Sequence, residues 1–207
     1  MRKMLVYIAF LLSFSIIFVD GASAQDLDYR FLDAIKALET KFGTVLPKSI
    51  NEQTCELSFS APYNKICELI ASVDNKNIQI EKVTVFGRDK DMAAIALSIV
   101  CGDNLPKIST QKVSAFCNLC KEPQIPWVSN KGKNKNVTVT TIETGFADTV
   151  TIKGIADKSG LVFSDLFPIL NGIRSISAPF FERGKFFDTE DGRKMEYTLQ
   201  CKWGTKY

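Results

Sequence analysis

The chain has 207 residues, 45% of them hydrophobic and 24% charged, with 26 Lys and Arg against 23 Asp and Glu, six Cys and no His. This is the composition of a globular protein, and the missing imidazole excludes Ser-His and Cys-His nucleophile pairs, HExxH zinc sites and CxxCH haem attachment. A formal net charge of +3 spread along the chain lacks the clustered Lys and Arg that neutralise phosphates, which argues against nucleic acid as a partner.

Arg2 and Lys3 precede Met4 to Val19, sixteen residues without a charge, and Ala22 and Ala24 then supply the small-x-small pattern of a signal peptidase site. The pattern predicts a signal peptide over 1–24. As a helix the apolar run would reach only about 24 Å, short of the roughly 30 Å of a hydrocarbon core. That favours cleavage over the rival reading of an uncleaved inner-membrane anchor. All six cysteines, Cys55, Cys67, Cys101, Cys117, Cys120 and Cys201, lie in the exported part, where an even count predicts up to three disulfides with connectivity open.

Leu27, Phe31, Ile35, Leu38 and Phe42 fall on one helical stripe, ended by Gly43 and Pro47. Thr54 to Ser60 alternates as a half-buried strand. Pro62 then opens a helix carrying Tyr63, Ile66, Ile70 and Val73, and Ile78 to Phe86 and Met92 to Cys101 read as strands about a polar turn at Gly87 to Asp91. Leu105 to Cys120 is weakly helical. Pro123, Pro126 and the polar run Ser129 to Asn136 mark the best internal boundary. Beyond it, Val137 to Thr144 and Thr149 to Ala156 read as strands, Leu161 to Ile176 as a helix disturbed by Pro168, and Pro179 to Phe187 and Arg193 to Trp203 as a final hairpin.

Strand, helix, strand, strand thus occurs twice, at about Thr54 to Cys101 and Val150 to Trp203. The expected fold is α+β: an N-terminal helix followed by two tandem ferredoxin-like modules, with segments 1–24, 25–128, 129–136 (linker) and 137–207. The crossover rule predicts that the first and third strands of each module are central parallel neighbours. On that basis Cys55 and Cys101 lie at opposite ends of their sheet and are not bonded.

Cys117-Asn118-Leu119-Cys120 is the one spacing that suits thiol–disulfide exchange, but it follows a polar segment instead of a strand, and no His is present to complete a zinc set with distant cysteines. Structural disulfides are the expected role. The Lys131, Lys133 and Lys135 run reads as a solvated linker, Asn136-Val137-Thr138 matches a glycosylation sequon that matters in a eukaryotic host, and Asp89/Asp91 and Glu190-Asp191 read as turn residues. Phe180, Phe181, Phe186 and Phe187 crowd one strand. Adjacent residues of a strand point to opposite faces, so one of each pair leaves the core side, as core packing or as a partner-binding surface. The residues thus predict no catalytic, cofactor or metal site and no small-molecule substrate.

Thr151-Ile152-Lys153-Gly154-Ile155-Ala156-Asp157, a helix carrying Val162, Phe167, Ile169, Leu170 and Ile173, and then Ser177 to Phe180 and Met195 to Gln200 resemble the periplasmic domain of PilN-type proteins of type IV pilus assembly. Leu57 to Ile70 followed by Ile78 to Val85 is similar to the PilO-type counterpart and to the analogous subunits of type II secretion. The resemblance implies a non-enzymatic periplasmic scaffold: paired ferredoxin-like domains that form homo- or heterodimers and bind other envelope assembly proteins. The alternative is a periplasmic thiol–disulfide oxidoreductase using Cys117 and Cys120.

Overall fold

The computed structural model describes residues 29–51, 53–75, 77–87, 91–128 and 136–204. The signal-peptide expectation, Leu27, Asp89 and the three linker lysines lie outside these residues. Helix α1 (Tyr29–Phe42) leads into strand β1 (Leu46–Ile50) and β2 (Thr54–Pro62). A short turn, Tyr63–Lys65, opens α2 (Ile66–Val73), followed by β3 (Ile78–Gly87), β4 (Met92–Cys101) and α3 (Thr110–Lys121). The second half repeats the series: β5 (Val137–Thr144), β6 (Thr149–Ala156), a helix α4 in three abutting pieces, β7 (Ile176–Thr189) and β8 (Gly192–Trp203).

The pieces of α4 are Ser159–Leu161, a wider π-wound Val162–Leu166, and Phe167–Gly172. Pro168 has no N–H to donate back one turn, and the helix widens just before it. The expected helix to Ile176 therefore stops at Gly172, and Ile176 belongs to β7.

All strand pairs are antiparallel and make one eight-stranded sheet in the order β1-β2-β4-β3-β5-β6-β8-β7. Two expectations are corrected here. In each half the first and third strands are neighbours, as β2 with β4 and β6 with β8, but they run antiparallel. The parallel pair is instead the first and second strands, which the helix connects and which the third strand separates. The two modules also do not keep separate sheets. Val83, Thr84, Val85 and Phe86 of β3 pair with Thr144, Glu143, Ile142 and Thr141 of β5, so two edges that would otherwise present unpaired N–H and C=O groups are consumed. Strand β1 is exposed along nearly its whole length, so no alternation in the sequence marks it.

One face of the sheet carries Leu57, Phe59, Ile80, Ile95, Leu97 and Ile99 in the first half and Ile142, Val150, Ile152, Tyr197 and Leu199 in the second, all buried. The helices lie on this face with Phe31, Ala34 and Leu38 of α1, Ile66, Leu69, Ile70 and Val73 of α2, Phe116 and Leu119 of α3, and Val162, Leu166 and Leu170 of α4. Full burial of a side chain of this size contributes about 1.5–3 kcal/mol. The helix with the weakest periodicity, α3, spans the two halves. Phe116 meets Phe146 and Trp203 of the second half edge-on at 5.8 and 6.4 Å, while its neighbour Cys117 is disulfide-bonded to Cys67 of α2. Its buried residues, Phe116, Cys117, Leu119 and Cys120, share one face but are confined to the C-terminal part, too short a stretch to show as a sustained period.

Candidate functional site

The cysteines are positioned by the core. Cys67 projects from α2 and Cys117 from α3, with Cα atoms 5.9 Å apart, and they form a disulfide across 50 residues of sequence. The CxxC is thereby divided: Cys117 is bonded elsewhere and Cys120, one turn on, is a buried thiol whose pKa is driven far up by desolvation. Burial also raises Cys201 to about 12. For Cys55 the value is about 11, chiefly from burial, with Cys101 and Glu56 adding. A thiol held protonated is a poor nucleophile, so these positions suit packing better than exchange.

The neighbourhood of Cys55 and Cys101 corrects another expectation. With β2 and β4 antiparallel, Cys55 lies opposite Ile99, and the Cys101 N–H donates to the Gln53 carbonyl oxygen at 2.9 Å. Both cysteines are thus at the same end of the sheet, in diagonal positions on the helix-covered face. They are not joined in the structure, but the reason is not distance along the strands.

Among the described residues, no helix lies on the other face of the sheet. Register alone assembles a row across it: Ser58, Ala96, Thr84, Glu143, Thr151, Gln200 and Phe180, one residue from each of β2, β4, β3, β5, β6, β8 and β7. At the seam between halves the Thr84 hydroxyl donates to Glu143 at 3.1 Å, and Lys153 stands 3.8 Å from the same carboxylate oxygen. Beside the row lies a depression of about 630 Å³ whose wall includes Thr141, Lys153, Arg183, Lys185, Glu196 and Thr198. Beneath it, Gly154 makes room for Tyr197. A Cβ at Gly154 would collide with the Thr138 carbonyl oxygen and the Tyr197 ring, and through this gap the Tyr197 hydroxyl donates to the Thr138 carbonyl at 2.7 Å.

The four phenylalanines of β7 divide as alternation requires, with one adjustment. Phe180 opposes Gln200 on the bare face and Phe181 opposes Leu199 on the covered face, where Phe163 of α4 packs on it at 5.5 Å. Glu182 is an extra residue in a bulge. Beyond it Phe186 opposes Met195 on the covered side and Phe187 opposes Lys194 on the bare side. Phe180 is 65% exposed because it lies on the bare face, while Phe186 at 48% and Phe163 at 51% are exposed because β7 is the last strand and α4 does not extend along it. The Arg193 guanidinium lies 5.0 Å over the Phe186 ring.

Among the described residues the carboxylate candidates form no cluster. Asp191 sits in the β7–β8 turn 3.7 Å from Lys194 and Glu190 beside it is exposed, while Asp91 accepts the Tyr63 N–H through its backbone oxygen. Asn136 is exposed at the start of β5. No group of three His, Cys, Asp or Glu side chains among the described residues is placed to hold a metal ion, and no helix among them is long and apolar enough to cross a membrane. The strength of the edge aromatics was legible in the doubled Phe pairs; the bare face was not, since Ser, Thr and Ala in alternation carry no sign of what covers them. Family models, curated proteins and solved structures all return no match for this chain.

Proposed function

We propose that the chain is a non-enzymatic periplasmic scaffold of an envelope assembly of the type IV pilus or type II secretion kind, built from two ferredoxin-like modules in tandem. The observation that carries the reading is the eight-stranded sheet with the described helices on a single face, whose other face offers a row of small and polar side chains from Ser58 to Gln200, ending on Phe180. Such a surface offers a partner side-chain hydroxyl, carboxylate and amide contacts over a broad area, the strand backbones being already paired within the sheet. The recurrence of strand, helix, strand and strand in both halves supports the tandem description, and the Cys67–Cys117 bridge fits an oxidising compartment.

The test is a photo-crosslinking residue placed at Thr151, in the middle of the bare face, in the native host. The expected product joins the chain to an inner-membrane platform subunit of such a machine. A chain that crosslinks there to no envelope protein, or one that remains in the cytosol, overturns the reading.

A further inference from the structure

The sheet has two outer strands, and they differ. Strand β1 is five residues long, carries Pro47 and shifts register within itself, which are the usual means of discouraging edge pairing. Strand β7 is fourteen residues long and presents Phe180 and Phe186 to solvent along with the adjoining Phe163. Its central sequence, Phe180-Phe181-Glu182-Arg183-Gly184-Lys185-Phe186-Phe187, reads as aromatic pair, charges, glycine, charge, aromatic pair.

We propose that β7 is the docking edge for a second copy of this chain, pairing antiparallel with its own equivalent about a two-fold axis at Gly184. This inference refines the scaffold reading by naming one partner, and it uses the edge while leaving the bare face to others. An isologous interface requires a surface complementary to itself, and residues directly opposite in an antiparallel pair must point to the same face.

In a regular strand Phe180 and Phe187, seven apart, would point to opposite faces, and the pairing would fail. The bulge at Glu182 corrects the phase. Phe180 and Phe187 both lie on the bare face, opposite Gln200 and Lys194, and Phe181 and Phe186 both lie on the covered face, opposite Leu199 and Met195. With Gly184 on the axis, Phe181 meets the second copy's Phe186 and Phe180 meets its Phe187. Each pair occurs twice, and aromatic cross-strand pairs are among the favourable ones. Arg183 faces the second copy's Lys185, a like-charge contact, and Glu182, for which β8 has no register partner, stands beside that lysine to offset it. Gly184 itself faces the covered side, where a Cβ would press on Met195 and Phe181, so no side chain obstructs the axis.

The experiment uses the full chain purified from its native host. Multi-angle light scattering is expected to give a dimer at micromolar concentration. Phe180→Asp with Phe186→Asp, both at exposed positions, is expected to raise the dissociation constant by about 100-fold or more with an unchanged circular dichroism spectrum and melting temperature. Chains carrying Phe180→Cys mixed with chains carrying Phe187→Cys are expected to form an inter-chain disulfide that neither forms alone. A monomer at 100 µM, a dimer indifferent to the double Asp variant, or a disulfide formed by Phe180→Cys alone overturns the proposal. A monomer that still crosslinks from Thr151 to a platform subunit removes the dimer and leaves the scaffold reading intact; a β7 dimer without an envelope partner does the reverse.

Discussion

The two halves share the strand order and differ in what covers them. In the first, β2, β3 and β4 lie under α1 and α2, with α3 tied to α2 by the disulfide, and the central strand fills its core side with Ile95, Leu97 and Ile99. In the second, α4 is broken by a π turn, and the matching strand places Met195, Tyr197 and Leu199. An aromatic ring with a hydroxyl replaces branched aliphatics, and Gly154 and the Thr138 carbonyl are arranged to accept it. The half with less helical cover is also the one whose outer strand leaves phenylalanines in water. Cover determines exposure here more than sequence polarity does, because an apolar residue is removed from water only where a second layer reaches it.

The largest effect that would sharpen this comparison is expected from Leu97→Ala, which removes a fully buried side chain from the centre of the first half and should cost about 3–4 kcal/mol in denaturant titration. Because β3 and β5 join the halves, loss should appear as one cooperative transition in both near-UV circular dichroism and hydrogen exchange. Persistence of protected amides in β6 and β8 while β4 exchanges freely would break the picture of a single continuous sheet. Next is Cys67→Ser, which opens a 50-residue loop confined to the first half and its bridging helix, with an expected loss of about 3 kcal/mol. A reductant should lower the melting temperature of the parent and leave that variant unaffected.

In the second half, Gly154→Ala is expected to cost about 2–3 kcal/mol, since the new methyl group occupies the space of the Tyr197 ring. Tyr197→Phe should cost about 1 kcal/mol through the lost hydrogen bond and the unpaired Thr138 carbonyl. Combining the two should give less than the sum, because both act on one contact; strict additivity in a double-mutant cycle would contradict it.

The smallest effect concerns Asp74, which closes α2 in the first half. Burial raises its carboxyl pKa, partly offset by a backbone hydrogen bond from Ile108 and by Lys107, and its Oδ1 is buried without a hydrogen-bond partner. A carboxyl with a raised folded pKa binds its proton more tightly when folded. Stability from this site is therefore highest below the ordinary Asp value of about 3.9 and falls as pH rises through the folded value. Asp74→Asn should raise stability at pH 7 by about a few tenths of a kcal/mol, the group being largely solvated, and that gain should vanish below about pH 4. A gain that persists at pH 3 would show that the carboxylate's charge is not its source.

Of the candidate surface, the edge aromatics were readable in the sequence and the bare face was not. The doubled phenylalanines in β7 announced that one ring of each pair must leave the core, because strand side chains alternate. That Phe181 would be the ring that is covered, by Phe163, could not be read, since it depends on where α4 ends. The CxxC likewise had a legible spacing, but its meaning changed once Cys67 met Cys117, a contact 50 residues away in sequence.

Local periodicity by itself determined the elements: alternation at Thr54 to Ser60 and at Met195 to Trp203, helical steps from Phe31 to Phe42 and from Ile66 to Val73, and the repeated strand, helix, strand, strand order. Those patterns record which side chains a segment must hide, and that requirement acts on neighbours in sequence. Strand direction, the union of β3 with β5, the nearness of Cys55 to Cys101 and the bare face were decided only by tertiary structure. Each depends on which backbone edge finds which partner, and, proline apart, an edge exposes the same N–H and C=O groups whatever residues it carries.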